Sequence, residues 1–110
     1  MGEPSGDEPR SDAHETQREQ IAALLSSLQT DWARRADETE RFREVVRALR
    51  GVSLQEKLRI AGFTLHPVDH NEIEQSCETC MYYLVHRRWC ELPEIDLPVR
   101  PEWSCNVWRI

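Results

Sequence analysis

The sequence predicts a small metal-stapled, mostly irregular domain of short turns and strands, preceded by a long α-helix or helical hairpin. Three observations carry that expectation. The four cysteines, Cys77, Cys80, Cys90 and Cys105, all lie in the C-terminal third with the spacing C-x2-C-x9-C-x14-C. Five of the eight aromatic residues (Tyr82, Tyr83, Trp89, Trp103 and Trp108) share that stretch. From His14 to Arg50 there is neither proline nor glycine, and the apolar residues recur at helical spacing.

The first twenty residues, MGEPSGDEPRSDAHETQREQ, contain no aromatic, valine or leucine. Such a segment cannot bury enough apolar surface to offset its ordering entropy, which predicts a disordered acidic tail over 1–13. A helical segment is expected over 14–62. Ile21, Leu25, Leu28 and Trp32, then Phe42, Val46 and Leu49, follow alternating steps of four and three, with a polar interval at Arg35 and Thr39. One long helix and two helices breaking near Asp37-Glu38-Thr39 both satisfy this pattern. A narrow apolar stripe must be covered, and a small cluster domain offers little surface for so long a helix. Packing on the rest of the chain and contact with a partner, either a larger subunit or a second copy of the chain, both cover the stripe, and the balance tilts slightly to the partner.

Gly51 reads as a helix stop, since glycine takes the left-handed conformation without steric cost. Ser53-Leu54-Gln55-Glu56 reads as a capping box opening a helix over 54–61. That helix ends at Gly62 and buries Leu54, Leu58 and Ala61. The remaining segment, 63–110, changes texture. Phe63 to Leu65 suggests a short strand, Cys77 to Arg88 a helical turn or a hairpin. Pro93, Pro98 and Pro101 forbid long regular elements between Cys90 and Cys105.

The net charge of −6 is spread as −4 over 1–20, +2 over 21–60 and −4 over 61–110. No third has the basic footprint of a nucleic-acid binder, and no apolar run approaches membrane-spanning length. Taken as a complete chain, the acidic start carries no signal peptide, so a cytoplasmic location is expected, where thiols stay reduced. Two disulfides are then a poor account of the cysteines. Catalysis finds little support: there is no Gly-rich phosphate loop, and Ser26, Ser27, Ser53 and Ser104 lack a nucleophile context. An accessory role suits the chain better than an enzyme.

A C-x2-C pair lets two thiolates reach one centre from a tight turn. Structural zinc sites normally use two such knuckles, whereas Cys90 and Cys105 here are separated by fourteen residues. A cubane takes a thiolate at each of four corners, so its ligands can come from separate loops. The spacing favours a 4Fe–4S cluster, with Cys77, Cys80, Cys90 and Cys105 as ligands and the five aromatics as its shield. The alternative is zinc, including a reversed site from His66, His70, Cys77 and Cys80 that would strand Cys90 and Cys105. His86 reads as a surface residue.

Over 77–108 the chain resembles the high-potential iron–sulfur proteins. Cys77-Glu78-Thr79-Cys80 supplies the pair, with Tyr82 and Tyr83 after it. Cys90 matches the third cysteine, and Val99 stands at the family's aliphatic position. Cys105-Asn106-Val107-Trp108 matches the final cysteine and the aromatic that follows it. Trp103-Ser104 stands where the family has Gly-Trp/Tyr, one residue out of step. The resemblance implies a 4Fe–4S cluster in an apolar pocket. It also extends to small accessory subunits of glycyl-radical decarboxylases and alkylsuccinate synthases. The expected function is an accessory or electron-transfer subunit docked through 14–50 on a larger cytoplasmic enzyme. The alternative is a zinc-stapled protein-interaction module. Apolar burial would oppose reduction of the cluster, and Arg87, Arg88, Arg100 or Arg109 nearby would favour it.

Overall fold

A computed structural model describes residues 8–110, with side chains from His14 onward. Within it the helical segment is two helices, not one. Helix α1 (Glu8–Ser27) starts inside the stretch expected to be an acidic tail, while residues 1–7 lie outside the described residues. Helix α2 (Thr39–Ala48) follows an irregular connector over 28–38, with a turn at 32–33. The break therefore comes earlier than Asp37-Glu38-Thr39, and no proline or glycine causes it. The connector's backbone pairs with the C-terminal part of the chain instead. Asp31 N–H donates to the Arg59 carbonyl at 3.1 Å and Ala36 N–H to the Asn106 carbonyl at 2.8 Å. Thr30 Oγ1 adds a bond to the Phe63 carbonyl at 3.1 Å. Tertiary hydrogen bonds here override helix propensity.

Helix α3 (Leu54–Ile60) opens at Ser53, whose hydroxyl accepts from the Glu56 amide at 3.3 Å. The expected box forms by half, because the Glu56 carboxylate turns to the Arg59 guanidinium at 2.7 Å. Leu58 and Ala61 are fully buried as expected, but Leu54 is exposed. Gly51 and Gly62 both take positive φ, 73° and 64°. At Gly62 a Cβ would stand 2.7 Å from Asn106 Nδ2 and 2.9 Å from the Asp31 backbone, so the connector and the Cys105 loop close over a site that only glycine fits.

After α3, Thr64 forms an isolated antiparallel bridge with Ser104 where a short strand was expected. Strands β1 (Val68–His70) and β2 (Ile73–Gln75) make a hairpin. Its two-residue loop, Asn71-Glu72, has φ of 53° and 63°, the left-handed pair that a type I′ turn requires. A 3-10 turn over Cys77–Thr79 leads into β3 (Tyr83–Leu84), β4 (Trp89–Cys90) and β5 (Leu97–Pro98), which pair antiparallel in that order. Cys77 to Arg88 is thus a helical turn and then a hairpin. Pro98 sits on an edge strand, where its missing N–H costs no ladder bond.

The core joins both halves of the chain. Ile21, Leu25, Val45 and Leu49 are buried together with Leu58, Phe63, Ile95, Val99, Trp103 and Val107. The seam, expected by a slight margin to meet a partner, therefore closes largely on the chain itself. Ile21, Leu25 and Leu49 are buried, Leu28, Phe42 and Val46 pack half-buried against the core, and Trp32 alone of that set is exposed, at 49%. Arg18 lies on the same face as Ile21 and Leu25 and is 1% exposed. Its Nε donates to the Val99 carbonyl at 2.9 Å, and its Nη2 to the Arg87 and Arg88 carbonyls at 2.9 and 2.8 Å. Glu15 pairs with Arg18 at 3.5 Å and also with Arg100. These contacts fasten α1 to the segment that carries Cys90.

Candidate metal centre

The four cysteines arrive on three separate segments: a 3-10 turn, a strand and the C-terminal tail. Cys77 opens the 3-10 turn, where Ser76 and Thr79 cap each other. Trp108 Nε1 donates to the Ser76 carbonyl at 3.0 Å and to Thr79 Oγ1 at 3.1 Å, tying the chain's last turn to this knuckle. The Cys77 amide donates to the Trp103 carbonyl at 2.6 Å, and the Met81 amide to the Arg109 carbonyl at 2.7 Å. Cys80 ends the turn. Cys90 sits on β4, the central strand, paired with Tyr83 on one side and Leu97 on the other. Cys105 lies in the tail, whose position is fixed by the Asn106 amide on the Ala61 carbonyl at 2.7 Å and the Arg35 Nη1 on the Cys105 carbonyl at 2.6 Å.

All four cysteines line one cavity, walled by Phe63, Tyr82, Tyr83, Val99 and Trp108. All four are free thiols; Cys77, Cys90 and Cys105 are buried and Cys80 is half-buried. Among the described residues no three His, Cys, Asp or Glu side chains converge as they would on a single ion.

Burial pushes the thiols of Cys77, Cys90 and Cys105 away from ionisation. Desolvation raises Cys77 well above the ordinary thiol value, with Cys105, Cys90 and Cys80 adding mutual repulsion. It raises Cys90 to about 12 despite a backbone N–H from Leu92 at its sulfur. Cys105 is raised by burial and by its neighbouring thiols, against a backbone N–H from Val107. In both cases the amide two residues after the cysteine points at sulfur, a donor that favours thiolate. An apolar pocket of inward-facing thiols with amides aimed at two sulfurs fits a cationic metal core, whose charge offsets the repulsion among thiolates.

Of the five aromatics expected to shield the centre, Tyr82, Tyr83 and Trp108 stand in the cavity wall. Trp89 does not. Successive residues on a strand point to opposite faces, so Cys90 turns inward and Trp89 outward. There it meets the His14 ring at 5.3 Å and the Arg87 guanidinium at 4.7 Å, and donates to Asp96 Oδ1 at 2.8 Å. Trp103, 1% exposed, belongs to the core outside the wall and contributes its carbonyl to the Cys77 amide. The shielding residue missed from sequence is Phe63, brought in from beyond α3 by the Thr64–Ser104 bridge.

The alternative zinc ligands are not gathered. His66 Nδ1 lies 2.9 Å from the Pro67 carbonyl and His70 Nε2 2.6 Å from Asp37 Oδ2, and neither ring lines the cysteine cavity. His86 is exposed in the β3–β4 turn. Among the arginines weighed as neighbours of the centre, Arg87 covers Trp89, Arg109 lies 4.3 Å over the Phe42 ring, and Arg100 pairs with Glu15. The two most involved, Arg18 and Arg35, come from the helical half. In the described residues no helix is long and apolar enough to cross a membrane. Compared with models of known protein families, with curated proteins and with solved structures, the chain finds no match.

Proposed function

We propose that the chain holds a 4Fe–4S cluster through Cys77, Cys80, Cys90 and Cys105 and works as an accessory or electron-transfer subunit on a larger cytoplasmic enzyme. One observation carries this reading: four cysteines from three separate backbone segments line a single apolar-walled cavity. Zinc would draw four ligands onto one point, at about 2.3 Å from each sulfur. Ligands drawn from three separate segments suit the larger cubane. The resemblance of 77–108 to high-potential iron–sulfur proteins, including a final cysteine followed by Trp108, adds support.

When bound, such a cluster supplies one-electron storage. The chain's own residues hold and insulate it. The Leu92 and Val107 amides donate to the Cys90 and Cys105 sulfurs, while Phe63, Val99 and the rings of Tyr82, Tyr83 and Trp108 keep water out. Cys80 is the half-buried thiol, with Met81 59% exposed beside it, so this edge is where a redox partner comes nearest. Within the 14–50 segment, Trp32 is the large apolar side chain left free to meet an enzyme subunit or a second copy.

Anaerobic purification of the full chain tests the reading. Broad visible charge-transfer absorption, with iron and acid-labile sulfide at cubane stoichiometry, is expected. A colourless protein carrying one zinc per chain would instead establish the zinc-stapled interaction module.

A further inference from the structure

The α1–α2 connector carries Arg35 to the backbone behind the cysteine cavity. Nη1 donates to the Cys105 carbonyl at 2.6 Å, to Gln75 Oε1 at 3.1 Å and to Ser104 Oγ at 3.3 Å. Nε donates to the Trp32 carbonyl at 3.0 Å. The guanidinium thus bridges two ligand-bearing segments, one leading into Cys77 and the other containing Cys105.

A clamp alone leaves two features without a reason. Nη2 is shut off from solvent and has no acceptor. Among the described residues no carboxylate lies within ion-pair distance of Arg35. Arg18, more fully withdrawn from water, has Glu15 as its counter-ion. Arg35 is half-buried, and a buried donor left without an acceptor on a cation is costly unless the site supplies negative charge. A thiolate at Cys105 attracts the Arg35 guanidinium more strongly than the Asp37 carboxylate does.

We propose that Arg35 is the counter-charge of the metal centre, a positioning residue that fixes the Cys105 loop and lends the anionic site a compensating positive charge. The proposal rests on the cluster reading above. Four thiolates on an iron–sulfur core leave the site net negative, and a nearby cation favours the state with one electron more. Arg35 therefore raises the reduction potential that apolar burial lowers.

Protein-film voltammetry on the anaerobically purified full chain tests this, the electrode supplying the electron. Arg35→Gln should lower the potential by at least the 59 mV that corresponds to a tenfold change in the one-electron equilibrium. Arg35→Lys, which keeps the charge, should stay close to wild type. Gln75→Glu is nearly isosteric and places a carboxylate against Nη1, so it should lower the potential with the clamp intact. That variant decides the matter if Arg35→Gln fails to retain iron. An unchanged potential in Gln75→Glu, or in an Arg35→Gln that retains iron, overturns the proposal. So does an Arg35→Lys that falls as far as Arg35→Gln, because hydrogen bonding rather than charge would then set the potential. Wild-type protein lacking iron and sulfide would overturn the cluster reading itself, a separate outcome seen before any variant is compared.

Discussion

Replacing Arg18 by methionine should release α1 from the cysteine-bearing half while leaving that half folded. Methionine nearly matches the arginine stem in volume, so the change isolates the guanidinium. Three carbonyls receive it: those of Val99, Arg87 and Arg88. The Arg88 carbonyl keeps a second donor, the Val99 amide at 3.0 Å. Two acceptors are therefore stranded, at about 1–3 kcal/mol each, and loss of the partly buried pair with Glu15 adds to this. A total of about 3–4 kcal/mol should fall on the docking of α1, lowering hydrogen-exchange protection there by roughly 10²–10³-fold. The assay is exchange mass spectrometry on the purified full chain, comparing peptides over 18–27 with peptides over 89–107. Lysine at this position, a single flexible donor group, should recover less than half of the loss. If α1 exchanges within about threefold of wild type while the rest is unchanged, Arg18 is not the fastening and the helix is held by apolar contact alone.

Other outcomes follow from the same contacts. The folded site favours neutral thiols, whereas the unfolded chain ionises them near about 8.5. In the reduced metal-free chain this stabilisation is complete below that value. It should then drain away as pH climbs toward the folded Cys90 value of about 12. Each raised thiol can contribute up to about 1.4 kcal/mol per pH unit, and urea midpoints at about pH 7 and about pH 10 that coincide would contradict this. Gly62→Ala should cost more than Gly51→Ala, because both need positive φ but only Gly62 has atoms within 3 Å of the added methyl. Thermal melts should place Gly51→Ala about 1 kcal/mol below wild type and Gly62→Ala lower still, with equal losses refuting the close approach. Trp32→Glu should leave stability within about 0.5 kcal/mol of wild type and weaken assembly with a partner or second copy, read by light scattering. A variant that unfolds instead would make Trp32 part of the fold.

The parts of the molecule that local chemistry governs were legible in the sequence. Gly51 and Gly62 stop their helices at positive φ, Ser53 caps α3, and the prolines between Cys90 and Cys105 confine regular structure to the short edge strand β5. The four cysteines that the spacing groups together line one cavity. What could not be read depends on non-local packing. Nothing in Leu28-Gln29-Thr30-Asp31 marks a helix end; the connector leaves the helix because Arg59, Phe63 and Asn106 offer its backbone and side chains better partners. Trp89 and Cys90 are adjacent in sequence but face opposite ways once β4 forms, so aromatic content near a cysteine does not reveal which rings enclose the site. Arg18 and Arg35 look like members of a solvated charged face. Arg18 does keep step with Ile21 and Leu25 on the apolar stripe, the one signal that could have exposed it. Arg35 continues the same register, yet it reaches the Cys105 loop from an irregular connector, which no helical pattern predicts.

Iron K-edge X-ray absorption on the full chain, purified without oxygen, tests whether the four thiols hold a polynuclear iron–sulfur centre. An all-sulfur first shell followed by an iron–iron scattering shell is the predicted result. A protein without iron, whose zinc edge shows one shell of sulfur ligands and no metal–metal scattering, would contradict it.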